Sequence, residues 1–198
     1  MPWPARWQLG VALLCVPPTV IAAEMRASSL DKDGDRYHVV LQIRIDAPVA
    51  QVYALLADFG RMSTLNPGVR ESTVLGEQDG SALVRLQVHA CAALFCRDFT
   101  QQQTMRAWRD GEDYRIDAQI QPEHSDMRYG TAHWRLRNCG NESDTGTCMD
   151  FDSTMEPSIW IPPLIGPWLI RRSMVEQTIE TANTIEALLG AADESHRD

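Results

Sequence analysis

The stretch Ile43-Arg44-Ile45-Asp46-Ala47-Pro48-Val49-Ala50-Gln51-Val52-Tyr53-Ala54-Leu55-Leu56-Ala57-Asp58 changes its period in the middle. Upstream, Val39, Leu41, Ile43 and Ile45 fall on one face of an extended run that starts at Tyr37, the mark of a strand with one buried side. Downstream, Val49, Val52, Tyr53, Leu55 and Leu56 recur at helical spacing, behind Asp46 as a capping residue and Pro48 near the first turn. A strand therefore feeds directly into a short helix. Phe59-Gly60 and Asn66-Pro67-Gly68 bracket a second one.

Beyond this point the pattern is strands. Alternation predicts them over 69–77, 80–91, 96–108, 113–120, 128–138 and 147–156, with turn signals at Asp79-Gly80, Asp110-Gly111 and 141–146. The period changes again after Trp160-Ile161-Pro162-Pro163-Leu164-Ile165-Gly166-Pro167. Pro167 suits the first turn of a helix that runs to about Leu189 and stops at Gly190. Trp168, Arg172, Val175, Ile179, Ala182, Ile185 and Leu189 fall on one face of it, and Gln177, Glu180 and Thr181 on the other. This is an α+β chain: a curved antiparallel sheet of about seven strands, two short helices after strand 1, and one long C-terminal helix laid across the concave face.

The length of 198 residues fits one domain. With 44 % apolar and 23 % charged residues the composition is that of a globular chain. Eighteen basic against 27 acidic residues give a net charge of −9, which argues against a nucleic-acid partner and against electrostatic docking on anionic lipid. Residues 1–23 read as a separate object. Arg6 is their only charge, the run from Leu9 to Val16 is apolar, Pro17-Pro18 interrupt it, and small residues close it at Ala22-Ala23. That is the pattern of a secretory signal, and the run is too short for a spanning helix, so no stable membrane span is expected after cleavage. The expected organisation is a signal peptide over 1–23, a polar lead-in over 24–35, the domain over 36–190 and a polar tail over 191–198, in a periplasmic or secreted protein.

Without Cys15, four cysteines remain: Cys91, Cys96, Cys139 and Cys148. Export makes disulfides the default, and four cysteines allow three pairings. Hairpin register separates them. Pairing Cys91 with Cys96 sets His89 opposite Asp98, Val88 opposite Phe99 and Leu86 opposite Gln101, with polar and apolar pairs on opposite faces. Pairing Cys139 with Cys148 likewise sets Arg137 opposite Asp150, Arg135 opposite Asp152, Leu136 opposite Phe151 and Trp134 opposite Ser153. The expectation is two structural bridges, 91–96 and 139–148. The spacings do not fit a zinc site, and no metal is expected.

The opening phrase, together with Met155-Glu156-Pro157, the Pro162–Pro167 run and the long helix, resembles the START-like helix-grip superfamily. That group includes polyketide cyclase/dehydrase-type proteins and the coenzyme Q-binding START branch. The resemblance covers residues 36–190 and implies a deep apolar cavity between sheet and long helix, holding an elongated or polycyclic apolar ligand. Inward parity then nominates Leu86, Phe99, Gln101, Gln103, Met105, Tyr114, Trp134, Met149, Phe151 and Met155 on the strands, with Val84, Val88 and Ile116 beside them. The helix would add Trp168, Arg172, Val175 and Ile179, and Trp160 stands near the preceding loop. Gln101 and Gln103 are singled out because inward amides must find a polar partner.

No catalytic constellation is legible. His89 and His133 fall on outward parity, no histidine has a Ser or Cys nucleophile beside it, and no metal pattern or phosphate-binding glycine loop occurs. No catalytic residue and no cofactor is nominated. The expected function is an exported binding protein or carrier for a lipid-, sterol- or quinone-like molecule. A cyclase or dehydratase acting on a polycyclic or polyketide-like substrate, and a protein-interaction module, are the alternatives.

Overall fold

The computed structural model describes residues 23–92, 95–140, 145–162 and 164–195. Eight strands form one sheet: β1 (Glu24–Asp33), β2 (Arg36–Ile45), β3 (Val69–Gln78), β4 (Ser81–Ala92), β5 (Phe95–Asp110), β6 (Asp113–Ile120), β7 (Met127–Asn138) and β8 (Thr147–Pro157). Their spatial order is β1-β2-β8-β7-β6-β5-β4-β3, and neighbours are antiparallel throughout. The helices are α1 (Val49–Leu56), α2 (Met62–Leu65, after a 3₁₀ turn at Phe59–Arg61) and α3 (Gly166–Ser195).

The strand that opens the decisive stretch is buried on one side as its alternation requires: Val39, Leu41, Ile43 and Ile45 are all closed to solvent. Their side chains organise the core in three places. Ile43 and Ile45 meet Val52 of α1, Leu136 of β7 and Ala182 and Ile185 of α3, closing one end of the molecule. Val84, Leu86, Met105 and Ile116 form a second cluster under α1, Phe59 and Met62. Val39, Leu41 and Phe151 form a third, covered by Ile170, Met174 and Val175 of α3.

Residues 24–33, expected as a lead-in, form an eighth, edge strand. Met25 and Leu30 have opposite parity, so alternation alone does not reveal it. A bulge between Met25 and Ala27 puts Met25 opposite Ile43 and Leu30 opposite Val39, on the same buried face. Asp46 does not cap α1; the helix starts at Val49 behind Pro48, with no side-chain cap. The Asp46 N–H instead donates to Glu186 Oε1 of α3 at 2.6 Å. The long helix passes through Gly190 and runs to Ser195, because a single glycine weakens a helix without ending it.

The β4–β5 register is the expected one, with Cys91 opposite Cys96, His89 opposite Asp98 and Leu86 opposite Gln101. Cys96 is disulfide-bonded. The Cys91 side chain lies outside the described residues. The Cys139–Cys148 bridge is formed, across a Cα separation of 4.8 Å. The β7–β8 register, however, is two residues off the expected one. Leu136 faces Met149, Trp134 faces Phe151 and Arg135 faces Asp150. The bridge joins diagonal neighbours, Cys139 lying just past the end of β7. A slip of two keeps every side chain on its face, so the segregation of charge from apolar surface cannot detect it. Arg137 still reaches Asp150 at 3.3 Å, diagonally, while Arg135 turns to Asp113 of β6 at 2.6 Å.

The bridge closes a sequence separation of 9 residues. Replacing both Cys139 and Cys148 by Ala is expected to cost about 2–3 kcal/mol in urea unfolding, with the native circular dichroism retained. An unchanged denaturation midpoint would show that the hairpin needs no bridge.

Candidate functional site

The concave face of the sheet is broader than α3 can cover. The helix packs most closely on β1 and β2, while α1, the 3₁₀ turn and α2 lie over the β3–β6 half. Between them a cavity of about 840 Å³ remains, in the upper part of the roughly 300–1,000 Å³ range of small-molecule sites. Its floor is the inward row of β4 to β8. Leu86, Phe99, Gln101, Gln103, Met105, Trp134, Met149, Phe151 and Met155 all line it, as do Val88 and Ile116. Trp134 and Phe151 pack across β7 and β8 in a tilted arrangement, with ring centroids 5.0 Å apart.

One end is open. Among the described residues, the exposed ones in the lining are Cys96, Arg97, Trp160 and Ile165, with Ile165 at 53 % and Trp160 at 79 % exposure. The loop that carries Trp160 is pinned at its base by Ser158 N–H donating to Asp126 O at 3.1 Å and by Gly166 N–H donating to Pro162 O at 2.8 Å. Gly166 packs so closely on Ile161 that a side chain at 166 would collide with it, which fixes where the loop turns into α3.

Six expected lining residues lie elsewhere, and one of them, Val84, is packed in the second core cluster. Tyr114 is taken up by α1: its ring packs on Tyr53 at 4.6 Å, in the end of the sheet that α1 fills. Trp168 is 57 % exposed, and Arg172 stands over its ring on the outer side and pairs with Glu176 at 2.8 Å. Val175 and Ile179 dock on the sheet, Val175 beside Val39, Leu41 and Phe151, and Ile179 in the closed end. The cavity face of α3 is the adjacent stripe: Leu169, Ile170, Ser173, Met174, Gln177, Thr178, Thr181, Ala182 and Ile185.

Gln177 and Thr181, expected on the solvent face, are thus part of the site. Their polarity hid the stripe. The hydroxyls of Thr178 and Thr181 donate to the carbonyls of Met174 and Gln177, each at 2.7 Å, and Gln177 Nε2 donates to Ser173 Oγ at 3.3 Å. These bonds are satisfied within the helix, so threonine presents mainly its methyl group to the cavity. The visible signal was the 3–4 spacing of Leu169, Ile170, Ser173, Met174 and Gln177 itself.

Among the described residues, the lining contains no carboxylate, histidine, lysine or tyrosine, and Arg97 at the opening is its one charge. The histidine–aspartate pairs are on the convex face: His38 with Asp152 at 3.0 Å, His89 with Asp98 at 2.7 Å and His133 with Asp117 at 2.6 Å. The hydrogen bond from His89, followed by the charges of Arg70 and His89, holds the Asp98 carboxyl below its ordinary range. The sheet separates all three pairs from the cavity.

Residues 45–177, more than half of the chain, match the family described as polyketide cyclase/dehydrase and lipid transport. The chain belongs to that family. Solved structures give the fold independently. An aromatase/cyclase, Zhui, from Streptomyces sp. R1128 aligns at 16 % identity over 77 % of this chain and 92 % of its own, with a TM-score of 0.58. A STAR-related lipid transfer protein from Xanthomonas axonopodis aligns at 18 % identity over 82 % and 98 %, with a TM-score of 0.56. Human STARD10 aligns at 11 % identity over 85 % and 76 %, with a TM-score of 0.57. The architecture is the START-like helix-grip fold. No curated relative matches the sequence.

The ends of β2, β7 and β8 nearest the opening are tied by Glu156, which accepts from Arg36 at 3.0 Å and from Arg128 at 2.7 Å. The bonds from Arg36 and Arg128 lower the pKa of the Glu156 carboxyl. A carboxylate whose folded pKa is depressed adds stability above its unfolded pKa, and that stability is lost as pH falls through the folded value. As pH falls below the ordinary Glu value of about 4.3, wild type should therefore lose stability that Glu156→Gln has already lost at pH 7. Parallel stability-versus-pH curves for the two proteins would contradict this linkage.

Proposed function

We propose that this chain is an exported binding protein or carrier for a neutral, apolar small molecule of lipid-, sterol- or quinone-like character, held between the concave sheet face and α3. The observation that carries the reading is the cavity's chemistry: about 840 Å³ of mostly apolar lining with no acid or base inside its described walls. An ionised ligand would lose its hydration there without gaining a counter-charge. An apolar one gains roughly 25 cal/mol for each Å² removed from water. The exposed Trp160, Ile165 and neighbouring Leu164 give such a ligand an apolar path at the opening.

Export rests on residues 1–23, of which 1–22 lie outside the described residues, and on the Cys139–Cys148 bridge, which suits an oxidising compartment. No helix among the described residues is long and apolar enough to cross a membrane. The family description names both ring chemistry and lipid transport. Carriage is favoured over a cyclase or dehydratase role because the described lining offers no group to move a proton. The His–Asp pairs that could do so face away.

The test is displacement of solvent by bulk. Ala132 lines the cavity floor between β6 and β8. Ala132→Phe should fold and lower the affinity for a neutral fluorescent apolar probe, N-phenyl-1-naphthylamine, by about tenfold or more, because the added ring occupies ligand space. Undiminished binding by a folded variant would place the probe outside the cavity and remove the basis for this reading.

A further inference from the structure

Among the described residues, four polar side chains are buried: Gln102, Gln103, Thr147 and Ser153. Three have full-strength partners. Gln102 donates to Gln121 Oε1 at 3.0 Å, Thr147 to Ala47 O at 2.6 Å and Ser153 to Thr131 O at 3.0 Å. Gln103 is the exception. It is 7 % exposed, lies on the cavity floor, and sits on β5 between Val84 of β4 and Ile120 of β6. Its Nε2 donates to Met105 Sδ at 3.3 Å, and a thioether is a weak acceptor. No hydrogen bond to its Oε1 is made among the described residues, and that oxygen is open to the cavity and not sealed in the core.

An amide so placed costs free energy unless a molecule in the cavity completes it. The fold does not require it: at this position the strand needs only a side chain of suitable volume, as Val84 and Ile120 show on either side. We infer that Gln103 is the polar recognition point of the cavity, and that the occupant is a neutral molecule carrying a hydroxyl or carbonyl group on an otherwise apolar skeleton. This rests on the carrier reading and narrows it. A primary amide both donates and accepts, so it serves a carbonyl through Nε2 and a hydroxyl through Oε1. It offers a carboxylate no counter-charge. The one cationic lining side chain, Arg97, is six residues away along β5, about 20 Å toward the opening. Gln101, two residues from Gln103 on the same face, extends the polar strip in that direction.

The test uses two pairs of compounds that differ by one hydroxyl, dodecanol against dodecane and cholestanol against cholestane. Each displaces N-phenyl-1-naphthylamine from wild type and from Gln103→Leu. In wild type the hydroxylated member of at least one pair should bind about fivefold more tightly than its hydrocarbon. In Gln103→Leu that ratio should fall to one or below, since the hydroxyl then loses its hydration without gaining a partner, while hydrocarbon binding is kept. A ratio that survives in the variant, or a loss shared equally by both members, overturns the inference and leaves the carrier reading standing. Failure of every compound to displace the probe from wild type overturns both. The ligand-free proteins give an independent readout. Gln103→Leu should melt at the same temperature as wild type or about 2 °C higher. A clear fall in Tm would show that Gln103 serves the fold, and would overturn the inference without any ligand.

Discussion

The fold turns on a mismatch of widths. An eight-stranded curved sheet presents an apolar concave face that one helix cannot cover. The helix resolves this by choosing a side. Val175 and Ile179 dock it on the β2–β8 half, and Ala182 and Ile185 lock its far part against Ile43, Ile45 and Leu136. The other half is capped by α1 and α2 through Tyr53, Leu56 and Met62. Each cluster is packed as a core. The two covers meet at the closed end, where Val52 and Leu65 pack with Ala182 and Ile185, and the cavity is the space left beside that contact, a consequence of the architecture and not a packing fault.

The two faces of the sheet differ in chemistry because each strand alternates. The convex face carries the His–Asp pairs and cross-strand ion pairs such as Arg135–Asp113 and Arg137–Asp150. The concave face carries methionines, aromatics and two glutamines. A strand gives one row of side chains to each face, so the surface charges can vary without touching the cavity. Methionine suits this lining because its flexible thioether adapts to irregular ligand shapes. The affinity of such a site is set by shape and apolar area, and its selectivity by the few polar groups, of which Ser153 and Gln103 are both buried.

Most of the sheet was legible because period-2 alternation reports the face of each residue directly. Phe99, Gln101, Gln103, Trp134 and Phe151 fall on the cavity floor for that reason. Register was less legible. Charge segregation fixed the β4–β5 pairing, yet it tolerated a slip of two at β7–β8. β1 was hidden because its bulge breaks the parity of Met25 and Leu30. The helix misled in a different way. Its most apolar stripe, Val175 and Ile179, is the one that docks, and the stripe beside it, diluted by Ser173, Gln177, Thr178 and Thr181, faces the cavity. A side chain that lines a ligand site need not be as apolar as one that packs in a dry core. Tyr114 shows the converse: inward parity is not enough where another helix has filled the space.

The most direct measurement is native mass spectrometry of the chain purified from an oxidising compartment, followed by organic extraction of anything released. The account predicts an added mass of one neutral, extractable molecule of lipid-, sterol- or quinone-like character, and loss of that mass from Ala132→Phe. An adduct that is charged and water-soluble, or one that Ala132→Phe retains in full, would contradict it.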